Sequence, residues 1–303
     1  MRESNFHFPS ANKACVSITL SLYDRRALDC TADLPLVNSL SHLNYMTSSF
    51  ARIREILTAD GGLERLVRIL RTTRVTEDTL HNWKWTLAFQ CIVNVGVRGT
   101  AEIRQRVVQV GAVPILIEIL RAYLLAARPH SALPGTYIPY SNHAYTYSEQ
   151  ERLQAEYEAT RRRLQSINHV MYRHDDVVLT LQLLAYLTNK NAGVPSPRRR
   201  QNVGDAVVDV FSIVEKFTLQ RSFPSDMVYW SSIVMRNGCR RDESRNGCRQ
   251  CAYLKCQKWE THPDEFYKCR RCRKVKYCSK QCQSSAWQEG HRHWCSERNP
   301  TST

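Results

Sequence analysis

Nine of the chain's twelve cysteines fall between Cys239 and Cys295. Within that stretch "KCRRCRKVKYCSKQC", from Lys268 to Cys282, sets two close cysteine pairs among six Lys and Arg residues between Arg270 and Lys280. Thiolates can pair as disulfides, act as nucleophiles or ligate a soft metal. Four ligand pairs can be written here: Cys251-x4-Cys256, Cys269-x2-Cys272, Cys278-x3-Cys282 and His291-x3-Cys295. Two ligands a few residues apart on a turn reach one small ion without ordering a long loop. Seven thiolates and one imidazole therefore make two tetrahedral Zn²⁺ sites with no open position, which is structural and not catalytic coordination. The N-terminal residues carry no apolar h-region, so no secretory signal is expected. In the reducing interior of a cell such clustering reads as metal binding before disulfides. Four pairs can be joined into two sites in three ways, and spacing does not choose among them.

The remaining thiols are less informative. Cys15, Cys30 and Cys91 are scattered, and "RNGCR" occurs twice, at 236–240 and 245–249. Cys239 and Cys248 thus read as a local duplication, although Cys248 and Cys251 form an alternative first pair. His293 competes with His291 but stands only two residues from Cys295. His262 and His293 read as ordinary surface histidines.

The elements before the cysteines look helical and repetitive. "ARIREILTADGGLERLVRIL" (51–70) aligns with "AEIRQRVVQVGAVPILIEIL" (101–120) at an offset of 50, matching Ile53, Arg54, Gly61, Leu66 and Leu70 to Ile103, Arg104, Gly111, Leu116 and Leu120. Each stretch reads as helix, Gly turn, helix, and Leu63, Leu66, Val67 and Leu70 share one apolar face. The offset also relates Leu43 and Asn44 to Val93 and Asn94. A recurring multi-helix unit of this length predicts an α-solenoid. It resembles armadillo repeats, which carry a comparable Gly turn and an Asn in the last helix. A third unit is expected, with "LQLLAYLT" (181–188) echoing "LSHLNYMT" (40–47) and "VGDAVVDVFSIVEKF" (203–217) as its final helix. A loop insert falls near 128–148, a charged helix at 149–165 and a basic loop at 193–202. The composition shifts near Arg236. The expected organisation is a mostly α, armadillo-like helical domain over 1–235 and a zinc module with its flanks over 236–303.

Residues Cys251–Cys295 resemble a MYND zinc finger: C…C, C-x2-C, "YCSKQC", then "W…H-x3-C". The resemblance implies a cross-brace. The first and third pairs (Cys251, Cys256, Cys278, Cys282) hold one ion, and the second and fourth (Cys269, Cys272, His291, Cys295) hold the other. The family's usual first pair is C-x2-C, which Cys248 and Cys251 would satisfy, but that leaves 17 residues before Cys269 against 12 from Cys256. The shorter spacing suits the family better. With "NKACVSITLSLYDRRALDCT" (12–31) and the armadillo-like units, most of the chain is similar to the fungal SamB/Mub-type MYND zinc-finger protein family. That resemblance implies a cytoplasmic protein, with a nuclear fraction allowed, linked to polarised growth and morphogenesis. It also implies service to a Ubr-type E3 ubiquitin ligase in the ubiquitin conjugation pathway. MYND fingers bind short Pro-containing peptides, and the resemblance places Gln283 and Trp287 along that groove. The family has long variable inserts, and this chain is compact.

A net charge of +15 and a pI of about 9.4 favour acidic partners without selecting one. Residues 239–299 hold fifteen Lys or Arg against seven Asp or Glu, so nucleic acid is the rival partner. No C₂H₂ spacing supports it. No phosphate loop and no catalytic constellation stand out, since "DGGLER" and "QVGAVP" are repeat turns. The longest apolar stretch, 112–127, contains Glu118 and Arg121 and is too short to span a bilayer. The expected function is therefore a non-catalytic adaptor, with proteins as partners and no membrane or small-molecule substrate. A nucleic-acid-binding regulator is the alternative.

Overall fold

Gly61 and Gly111 both adopt the left-handed backbone conformation, at φ 84° and 83°. Only glycine enters that region freely, so each turns the chain sharply from one helix into the next. The computed structural model describes residues 23–73, 78–126, 172–189, 200–203, 206–219, 222–239 and 245–296. The expected insert at 128–148, the charged helix at 149–165 and most of the basic loop lie outside them.

A 3₁₀ turn (Arg25–Asp29) precedes α1 (Asp33–Ser49), α2 (Ala51–Ala59) and α3 (Gly62–Thr72). Helices α4 (Thr79–Arg98), α5 (Ala101–Gln109) and α6 (Ala112–Ala126) follow in the same order of long, short and medium. The long helices α1 and α4 pack extensively side by side. The 50-residue offset has a physical meaning at two positions. Asn94 Nδ2 donates to Asn44 Oδ1 at 2.9 Å, stitching the ends of α1 and α4 together. Arg54 Nη1 donates to Thr47 O at 2.8 Å, and Arg104 Nε to Gly96 O at 3.1 Å. Each guanidinium thus satisfies carbonyls left open at the C-terminal end of the preceding long helix. Between them Leu40, Ile53, Leu57, Leu63, Leu66, Phe89 and Leu116 are fully buried. This fold is mostly α and armadillo-like.

The third unit differs from expectation. Helix α7 (His174–Leu187) holds most of the 181–188 echo and packs against α4, but 203–217 is not one helix. Strands β1 (Arg200–Val203) and β2 (Ala206–Asp209) pair antiparallel with Val203 opposite Ala206. The Gly-Asp pair at 204–205 between valine-bearing runs is a hairpin signal that outweighs the helical spacing. Only α8 (Val210–Val214) and a 3₁₀ turn (Glu215–Thr218) are helical there. The final helix of the unit is α9 (Ser225–Gly238), which follows Pro224. Its Asn237 Nδ2 donates to Ala185 O at 2.9 Å and to Thr188 Oγ1 at 3.2 Å, repeating the Asn94 contact one unit on.

No single described helix is long and apolar enough to cross a membrane. The buried apolar residues form one connected cluster that runs from Leu28 through the helices to Trp294 in the cysteine-rich module.

Candidate metal centre

The module is built from turns. Cys251 N donates to Lys258 O at 2.8 Å, closing one loop around Cys251 and Cys256. Cys269 N donates to Val275 O at 2.8 Å, closing a second around Cys269 and Cys272. In both loops the residue after the second cysteine, Gln257 or Arg273, takes a positive φ of 58°. This reversal turns the following amides back toward sulfur. The amides of Lys274 and Val275 act on Cys272 against burial, which still pushes that thiol up. For Cys256, burial is outweighed by the Lys258 amide and the neighbouring sulfurs, which hold its thiol below the ordinary value.

The second loop joins β3 (Tyr267–Lys268) to β4 (Lys276–Tyr277), so Cys278 leaves the hairpin directly beside the first loop. Ala252 N donates to Lys276 O at 3.0 Å and holds that placement. Helix α10 (Lys280–Ala286) presents Cys282, and Ser279 caps it by accepting from Cys282 N at 3.1 Å. A π-helical turn (Trp287–His291) and the short α11 (Arg292–Trp294) bring His291 and Cys295 back over the second loop.

The eight side chains meet as two groups of four. Cys251, Cys256, Cys278 and Cys282 form one cluster, and Cys269, Cys272, His291 and Cys295 the other, each with its donor atoms within 4.8 Å of one another. Cys256 Sγ and Cys282 Sγ each lie 3.5 Å from Cys278 Sγ. In the second cluster His291 Nε2 is 3.4 Å from Cys269 Sγ and 3.8 Å from Cys272 Sγ, and Cys269 Sγ is 4.0 Å from Cys295 Sγ. A zinc tetrahedron with Zn–S near 2.3 Å has edges of about 3.8 Å, so these spacings fit. A disulfide needs about 2.0 Å. Two four-donor clusters fit two zinc ions, with no position left for a reactive water. When bound, zinc would cross-link the turns.

Several neighbours complete the centre. His291 is 1% exposed, its ring set edge-on to Tyr277, Trp287 and Trp294. Burial lowers its pKa to about 4, which keeps the imidazole neutral and fit to ligate. Glu260, which no spacing rule singles out, is buried and accepts from Lys276 Nζ at 2.7 Å, Phe266 N at 3.1 Å and Arg249 N at 2.8 Å. Burial alone would raise its pKa, but these donors hold it below the usual carboxylate value. Lys276 also pairs with Asp264 at 2.7 Å. One of the seven basic residues in the opening motif is therefore internal structure, while Lys268, Arg270, Arg271, Arg273, Lys274 and Lys280 are exposed.

Cys248 is buried outside both clusters, beside Trp259 and His262. His293 accepts from Arg292 Nε instead of joining a cluster. Gln283 and Trp287 stand one helical turn apart, both half-buried, with the Arg271 guanidinium 5.9 Å over the indole.

Residues 237–295 match the family model described as the MYND finger. The C-terminal module is a MYND finger. The chain as a whole is similar to the MYND-type zinc finger protein samB of Aspergillus niger, 27% identical across 97% of this chain and 99% of that protein. The samB protein of Emericella nidulans is 26% identical across 97% of this chain and its whole length. The Aspergillus niger alignment runs over 604 residues, twice this chain's length, so about half of it lies opposite insertions that this chain lacks. A designed armadillo repeat protein aligns with 71% of this chain and 80% of its own at 15% identity and a TM-score of 0.34. The armadillo-like description here stands on this chain's own helix order and asparagine contacts.

Proposed function

We propose that this chain is a non-catalytic adaptor in which residues 1–235 hold one protein and the MYND finger, within 236–303, holds a Pro-containing peptide. The observation that carries the reading is the Gln283 and Trp287 face. Trp287 offers a half-exposed flat apolar wall next to a ligand-bearing helix, and Gln283 offers an amide one turn earlier. An indole and an amide are the groups that recognise a proline in an extended backbone. The samB-type likeness supports the finer reading, a cytoplasmic protein with a nuclear fraction that serves a Ubr-type ubiquitin ligase in polarised growth and morphogenesis.

The test uses the full zinc-loaded chain, a panel of proline-containing peptides and an oligonucleotide, at two salt concentrations. Trp287→Ala should weaken peptide binding by about 2 kcal/mol or more, as expected of an interface hot spot, with zinc content unchanged at two per chain. Charge reversal at Arg270, Arg271 and Lys274 should alter the association rate more than the affinity. Tight, salt-steep oligonucleotide binding indifferent to Trp287 would overturn the adaptor reading in favour of a nucleic-acid binder. Co-purification of a ubiquitin ligase that is lost with Cys269→Ser would support the finer reading, and its persistence would remove the finger from it.

A further inference from the structure

The seam between α9 and the end of the finger encloses a crevice of about 530 Å³, a size typical of small-ligand sites. Helix α9 lines it with Val228, Tyr229, Ser232 and Arg236, and the finger lines it with Trp294, Ser296 and Cys295 of the second cluster. Among the described residues no acidic side chain lines it. Arg236 is half-buried, and among the described residues no carboxylate pairs with it. Burial disfavours its charge. A guanidinium has five donors and keeps its charge at any physiological pH, so a sheltered one without an anion is a costly arrangement that a ligand would relieve. Ser296 adds a second unmet group, since its Oγ is buried with no hydrogen-bond partner. Both groups belong to residues that line the crevice, together with the apolar Val228 and Trp294.

We propose that this crevice binds a carboxylate carried on a compact apolar body, with Arg236 as its counter-ion, Ser296 as a hydroxyl donor, and Val228 and Trp294 as the apolar wall. A planar guanidinium matches a carboxylate through two parallel N–H···O bonds. The ligand chemistry is shared by two sources, the C-terminal residue of a peptide and a free aryl or alkyl acid. Neither Gln283 nor Trp287 lines the crevice, so it is separate from the peptide face proposed above.

The experiment titrates the full zinc-loaded chain with N-acetylphenylalanine, its C-terminal amide, 3-phenylpropionate and acetate, followed by amide chemical shifts of α9 and by calorimetry. The acid should bind at least tenfold more tightly than the amide, and acetate should bind weakly. Arg236→Gln should erase the preference for acid over amide, Arg236→Lys should retain part of it, and Ser296→Ala should weaken the acid several-fold. Trp287→Ala should leave all of these values unchanged. A capped tetrapeptide ending in phenylalanine that binds more tightly than 3-phenylpropionate assigns the site to peptide C-termini, and equal binding assigns it to a free acid. Equal affinity for acid and amide, or a preference that survives Arg236→Gln in a chain still holding two zinc ions, would overturn the proposal. If Arg236→Gln fails to fold, an undiminished response in Ser296→Ala would overturn it as well.

Discussion

Loading the finger with zinc at pH 7 should expel close to seven protons per chain. The first cluster contributes four thiols, and the second contributes three thiols and the imidazole of His291. An unperturbed thiol titrates near 8.5, so about 97% of each is protonated at pH 7 and must lose its proton to bind the metal. The imidazole of an unfolded chain adds about a quarter of a proton at that pH, and that of a preformed finger almost none. Lowering the pH to 6 separates two states of the metal-free finger. In an unfolded chain a histidine titrates near 6.5 and is about three-quarters protonated at pH 6, so the count should rise by about half a proton. In a preformed finger His291 titrates at about 4 and the count should not move. We expect the rise, because structural zinc contributes on the order of 10–16 kcal/mol and so small a core cannot replace it. The sign agrees with the burial of His291. Its folded pKa lies below the unfolded value, so between pH 6.5 and about 4 the unfolded chain binds more protons and acid opposes folding, by up to about 3 kcal/mol. The assay is calorimetric titration with zinc chloride in two buffers of different ionisation enthalpy, with metal content measured alongside. A release near four protons with one zinc bound would refute the two-cluster reading.

Two substitutions test the supports around the centre. Glu260→Ala leaves Lys276, 1% exposed, with only the half-exposed Asp264 as partner and should cost about 1–3 kcal/mol. Faster zinc loss to a chelator would report it, and retention equal to the parent would contradict the role given to this pair. Gly290→Ala would set a Cβ 2.3 Å from the Glu215 carboxyl group, so that side chain must swing away and give up its contact with Trp294 Nε1. Limited proteolysis across the α9 seam should accelerate, and adding Glu215→Ala should accelerate it no further, since the contact is already lost.

The sequence makes the centre more legible than the helices, for a physical reason. Ligands of one ion must be close in space, and chelation keeps each pair close along the chain, so the pairs can be read directly. Which pairs share an ion depends on how β3 and β4 return the chain, and that is tertiary information. The first two helical units are legible because Gly61 and Gly111 occupy a backbone conformation open to few other residues. The third lacks such a mark. Its valines at 203, 207, 208 and 210 fit a strand as well as a helix, and only the Gly-Asp dipeptide in the sequence favours the strands. Helix α9 could have been found from Pro224, Ser225 and Asp226 followed by Met227, Val234 and Met235 on one face. Glu260 and Trp294 carried no such signal, because a lone acid and a lone indole are common on any surface.

Trp294 shows why finger and repeats do not behave as beads on a string. It lies between two ligands of the second cluster, His291 and Cys295, and is 3% exposed. Its indole Nε1 donates at 3.0 Å to Glu215, which belongs to the third helical unit. The glycine at 290 lets that same carboxyl group approach the backbone next to His291. Metal and repeat therefore share a residue pair: zinc fixes the turn that aims the indole, and the indole occupies a carboxylate and an apolar surface that the repeat would otherwise expose. Arg236 lies on the repeat side of this seam and Ser296 on the finger side, so an anion between them would bind only when both halves are in place. An adaptor built this way holds its two binding surfaces at a fixed angle, which a flexible linker could not do.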